Sequence, residues 1–153
     1  MTKYRNIFLN ILFLIYIIFG LYLSLLNGIS HDQFHEQLNW EINSQAIKGV
    51  IFNEGDYNLL LNYLDRYHGI AFHYISQPIQ FLIQGTVERF FETSLDGAVY
   101  LSRHIVVFFV FSISGYFFYL LCLKISKDRN FSLLGVTLFL LYPYFFGHSH
   151  ING

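Results

Sequence analysis

The residues best equipped for chemistry follow directly on the first apolar run, in GISHDQFHEQLNWE at positions 28–41. Two histidines and three carboxylates share those fourteen positions. His31 and His35 are four apart, so a helix sets both imidazoles on one face, the spacing of zinc-binding histidines. With Asp32 between them the pattern looks like a zincin motif with Asp in place of Glu. Tetrahedral zinc needs a third protein ligand, and Glu36, His68 and His73 offer one only by composition. No metal and no cofactor is expected. The other reading makes Asp32 a general base at a membrane surface. A hydroxyl is a poor nucleophile until a positioned carboxylate accepts its proton. If the donor is a lipid-linked sugar phosphate, a cation must hold the phosphate as it leaves. Arg103 and His104 are the candidates for that role.

Each of these residues also has a plain structural reading. Asp32 falls at the second position of a helix capped by Ser30, where the helix dipole stabilises a carboxylate by ~0.3–1 kcal/mol and makes it a weaker base. Arg103 flanks an apolar span and could anchor to lipid phosphates. His148 and His150, just past the last span, read as interfacial residues.

The elements that must position these groups belong to lipid. The chain has 153 residues, 54% apolar, 20% aromatic and 12% charged, against roughly 25% charged in soluble domains. A net charge of −1 gives no electrostatic footprint for nucleic acid. The single cysteine, Cys122, forms no internal disulfide. No internal repeat is present, and two prolines make no Pro-rich linker.

Positions 7–26 carry no charge and, at about 1.5 Å per residue, cover a hydrocarbon core of ~30 Å. That run exceeds a signal-peptide core and lacks a small-x-small cleavage site, so it reads as an uncleaved anchor. Positions 105–123 form a second uncharged span and 131–146 a shorter third, with Pro143 near its end. Lys3 and Arg5 precede the first span, and Lys124, Lys127 and Arg129 lie between the second and third. The positive-inside rule puts both groups in the cytoplasm. The expected organisation is therefore an all-α membrane protein: cytoplasmic tail 1–6, span 7–26, outer loop 27–104, span 105–123, basic turn 124–130, span 131–146 and outer tail 147–153. The loop holds nine of the ten carboxylates against four basic residues. Its partner is the bilayer, and other membrane spans could pack against it.

The outer loop is too aromatic and periodic for disorder. Ser30 and Gln33 form an S-x-x-Q capping box that starts a helix at Ser30, and Phe34, Leu38 and Ile42 recur on one face of it. Positions 53–56 read as a turn. Pro78 suits the first position of a second helix. Gln80, Gln84 and Glu88 form its polar face, and Ile79, Leu82, Ile83, Val87, Phe90 and Phe91 the apolar one. That pattern predicts an amphipathic helix on the outer leaflet, with a fourth, re-entrant or spanning segment at 69–83 as the alternative.

In order, these features resemble the N-terminal part of bacterial membrane glycosyltransferases related to the dolichyl-phosphate-mannose protein mannosyltransferases, which have the GT-C fold. Asp32-Gln33 stands where such proteins carry an acidic pair, and 67–79 where they carry an aromatic, proline-containing patch. Leu101-Ser102-Arg103 matches an arginine that opens the second span. Lys127-Asp128-Arg129 matches the basic turn, and Leu141-Tyr142-Pro143 the end of the third span. The resemblance implies a polyprenyl-phosphate sugar as donor, an acceptor hydroxyl, Asp32 as base and Arg103 as phosphate holder, in a bacterial inner membrane. Gln33 replaces the second carboxylate, and members continue through many further spans. The chain thus corresponds to the first portion of such an enzyme and is expected to be inactive alone. A non-enzymatic membrane protein, either a remnant or a small subunit of a complex, is the alternative.

Overall fold

A long apolar run without proline, and with Gly20 as its one glycine, makes the first element, α1 (Thr2–Leu26). In the computed structural model the described residues are 2–28, 31–67 and 70–151, excepting the side chains of residues 2, 3, 5, 6, 31, 32 and 151. Large apolar groups such as Phe8, Ile18 and Phe19 stay more than half exposed along α1, as suits a helix whose solvent is hydrocarbon. The chain continues through α2 (His31–Phe52), α3 (Tyr57–Leu61), α4 (Ala71–Phe91), α5 (Leu95–Ser126), α6 (Arg129–Leu141) and α7 (Pro143–Ile151), with no strand among the described residues. Two helices, Ile7–Leu26 within α1 and α5, are long and apolar enough to cross a membrane; a third crossing arises if the bent pair α6–α7 is one span.

Three elements differ from expectation, each for a local reason. The expected span 105–123 lies inside a longer helix. The Ser94 side chain accepts from Gly97 N–H and starts α5 at Leu95. No breaker follows until Lys127, which stops the helix with a left-handed φ of 55°. At 32 residues, α5 is about 48 Å long. Arg103 and His104 therefore sit two turns inside a helix rather than at its mouth. The expected third span 131–146 is broken at Tyr142, and the two pieces are bent by 53°. Pro143 has no N–H to offer the Phe139 carbonyl; the Tyr142 N–H donates to it instead at 3.4 Å. Helix α4 begins at Ala71, not at Pro78, which it accommodates in its interior.

Helix α5 is the hub, packing against α1, α4, α6 and α7. Small residues set its closest approaches. A Cβ on Gly20 of α1 would overlap the Phe108 ring, and one on Gly115 would press on the Leu140 side chain of α6. Around Phe108 gather Tyr16, Phe146 and His150, the last stacked on it at 4.8 Å between ring centres. The turn expected at 53–56 is present: Asn53 takes a left-handed φ of 56°, and the Asp56 carboxylate caps α3 through Asn58 N–H.

Helices α2 and α4 turn their polar sides inward. Phe34, Leu38 and Ile42, expected to share one face of α2, do not form its buried face: Phe34 is 59% exposed while Gln33, Asn39 and Ala46 are buried. In α4 the buried stripe is His73, Ser76, Gln80 and Val87, and Phe81, Leu82 and Phe90 point outward. The helix is amphipathic as expected. Gln80 lies in the protein rather than in water, while Glu88 stays exposed. Polar groups inside and apolar groups outside is the arrangement lipid favours, since hydrocarbon offers a polar group no partner.

Candidate functional site

Two polar clusters share the interior, and Arg103 and His104 divide them. Being adjacent on α5, they point about 100° apart around the helix.

Arg103 is buried, with 1% of its surface exposed. Its Nη1 lies 3.7 Å from Glu36 Oε2 of α2, an ion pair without a hydrogen bond. None of its three guanidinium nitrogens has a hydrogen-bond partner among the described residues. On α4, which packs against α5, the buried stripe carries Ser76 Oγ, Gln80 Nε2 and both ring nitrogens of His73, again without partners among the described residues; of these, His73 interacts electrostatically with Arg103. His73 stacks flat on Trp40 of α2 at 5.7 Å. Burial, and then the charge of Arg103, push the His73 imidazole down to about 4, so it stays neutral at ordinary pH. A buried guanidinium offers up to five N–H donors in a rigid fork suited to carboxylate or phosphate. Leaving them unmade costs more than an unformed surface contact. With one described carboxylate at ion-pair distance, the group has capacity left for an anion.

His104 is fully engaged. Its Nδ1–H donates to the Ser24 carbonyl of α1 at 3.2 Å, which leaves Nε2 to accept from the Gln33 side-chain amide. A carbonyl can only accept and an amide NH2 can only donate, so the pair fixes a neutral Nδ1–H tautomer. Ser24 Oγ donates to Gly20 O at 3.0 Å and meets His150 Nδ1 of α7 at 2.8 Å. The chain Gln33–His104–Ser24–His150 thus ties the first turn of α2 to α5, α1 and α7. Asp32 belongs to that first turn by its backbone, beside Gln33; its side chain and Ser30, with the capping box expected there, lie outside the described residues. His150, expected at an interface, is buried with 4% exposure.

Of the residues singled out from sequence, Arg103 and Glu36 meet, and His104 meets Gln33. No three described His, Cys, Asp or Glu residues come together as a metal-binding group; the side chain of His31 and all of His68 lie outside the description. The sequence reading missed Ser76 and Ser24; it named His73 only as a possible zinc ligand and His150 only as an interfacial residue. The signal was present: positions 73, 76 and 80 are polar at helical spacing on an otherwise apolar segment, and Ser24 interrupts an apolar run one turn beyond Gly20. No protein-family model, curated protein or solved structure matches this chain.

Proposed function

We propose that this chain forms the N-terminal membrane part of a glycosyltransferase that moves a sugar from a polyprenyl-phosphate donor to an acceptor hydroxyl. The observation that carries the reading is Arg103: a buried guanidinium on an apolar helix, with one described carboxylate at ion-pair distance and no hydrogen bond to a described residue. In the three-span arrangement, with Lys3, Arg5, Lys124, Lys127 and Arg129 in the cytoplasm of a bacterial inner membrane, Arg103 and the start of α2 share the outer side. There Arg103 holds the donor phosphate, and Asp32 takes the proton of the acceptor hydroxyl. The acceptor oxygen bonds to the anomeric carbon, the bond from that carbon to the phosphate oxygen breaks, and polyprenyl phosphate departs with the electron pair. His104, with both ring nitrogens committed, anchors Gln33 and thereby the turn that carries Asp32.

The test is retention of polyprenyl phosphate by the full chain in lipid nanodiscs. Wild type retains it, and Arg103→Gln weakens retention by about tenfold, the worth of hydrogen bonds to one charged group. Equal retention by wild type and variant overturns the reading. A second reading, a non-enzymatic subunit of a membrane complex, draws on the exposed apolar surface of α1 at Ile11, Leu14 and Ile18. A subunit of that kind retains no polyprenyl phosphate through Arg103.

A further inference from the structure

At the opposite end of the bundle from Arg103, α1 and α6 do not close against each other. They leave a groove of about 410 Å³ floored by α5, within the 300–1,000 Å³ range of ligand sites. Leu12 and Phe13 of α1 face Leu133 and Val136 of α6 across it. Its inner end is closed where the Tyr16 hydroxyl donates to the Leu140 carbonyl at 3.3 Å. Arg129, the first residue of α6, lines its other end with Asn10 of α1. The Arg129 Nε is buried and has no hydrogen-bond partner among the described residues. The neighbouring acid does not answer it: Asp128 Oδ1 accepts from the N–H groups of Asn130 and Phe131 as the cap of α6. Lys124 and Lys127 stand exposed a few residues away.

We propose that this groove binds one anionic phospholipid, with an acyl chain between α1 and α6 and its phosphate on Arg129. The two halves of the site select different parts of one molecule. Apolar walls alone suit any hydrocarbon, including a neighbouring helix, and have no use for a half-buried guanidinium whose Nε is buried. A lone phosphate has no use for an apolar trough leading away from the cation. An amphiphile with a negative head satisfies both, and the uncompensated Lys124, Lys127 and Arg129 favour an anionic head over a zwitterionic one. Basic pockets between membrane helices commonly take such head groups. The proposal is independent of the donor site at Arg103, which lies on the other half of α5.

The experiment is native mass spectrometry of the full chain in a mild non-ionic detergent, with added phosphatidylglycerol or phosphatidylcholine. One phosphatidylglycerol is retained per chain, in preference to phosphatidylcholine. Arg129→Gln lowers its retention by about tenfold, Arg129→Lys restores part of it, and Thr137→Trp, which fills the trough, removes retention of both lipids. Circular dichroism of each variant establishes that the helices persist, and Thr137→Leu replaces the tryptophan variant if that one fails to fold. Equal retention of the two lipids, or Arg129→Gln behaving as wild type, overturns the proposal. So does a dimer that Thr137→Trp disperses, because a second copy then fills the groove.

Discussion

At the scale of single residues, the interior is defined by the buried guanidinium of Arg103, whose three nitrogens have no hydrogen-bond partner among the described residues. Glu36 is the one described carboxylate at ion-pair distance from Arg103, and removing one member of a buried pair leaves the other charge uncompensated. Glu36 is itself part exposed, so Glu36→Gln lowers stability in detergent by about 1–2 kcal/mol, read as a fall in the thermal midpoint. Added polyprenyl phosphate recovers part of that loss if its phosphate takes the place of the carboxylate. His73 gives a pH dependence with a definite sign. Its imidazole titrates near 4 in the folded protein against 6.5 as a free side chain, so the unfolded chain binds more protons between those values. Stability from keeping His73 neutral is complete above pH 6.5 and is lost as pH falls toward 4, by up to about 3 kcal/mol. In His73→Phe, which keeps a ring against Trp40, the midpoint falls less across that window than in wild type; parallel curves would remove His73 from the account.

At the scale of elements, close approach and helix termination govern. Phe108 occupies the space that a side chain on Gly20 would need, so Gly20→Val drives α1 from α5, breaks the Ser24–His104 link and lowers the thermal midpoint strongly. Gly28→Ala, at a position with open space around it, leaves it unchanged. Glu92 ends α4 in the left-handed region at φ 47°, where a residue with a Cβ is strained by about 1 kcal/mol. Glu92→Gly relieves that strain and raises the midpoint by a few degrees. Much of the element structure was legible in the sequence. The uncharged run 7–26 marks α1, and the turn at 53–56 separates α2 from α3. What was not legible came from tertiary partners. The Ser94 cap is a local signal for the start of α5, but Arg103 reads as a flanking charge, and so as a helix mouth, until Glu36 is seen beside it. The polar stripes of α2 and α4 read as water-facing until α5 supplies polar groups for them to face. The break at Tyr142 was partly visible in Pro143, but the bend it produces, and with it the burial of His150 against Ser24, depends on α1 and α5.

At the scale of the whole molecule, the two charged ends of α5 carry the proposed chemistry: Arg103 toward one membrane face and the turn bearing Lys127 and Arg129 toward the other. The proposed donor site requires that α2 and Arg103 lie on the outer side and the basic turn in the cytoplasm. Single cysteines introduced in a Cys122→Ser background test this most directly, using a membrane-impermeant thiol reagent on intact cells. Asn53→Cys, in the exposed turn after α2, is predicted to label from outside. Lys127→Cys, in the turn between α5 and α6, is predicted to label only after the membrane is opened. Labelling of position 127 but not of position 53 in intact cells would contradict the account.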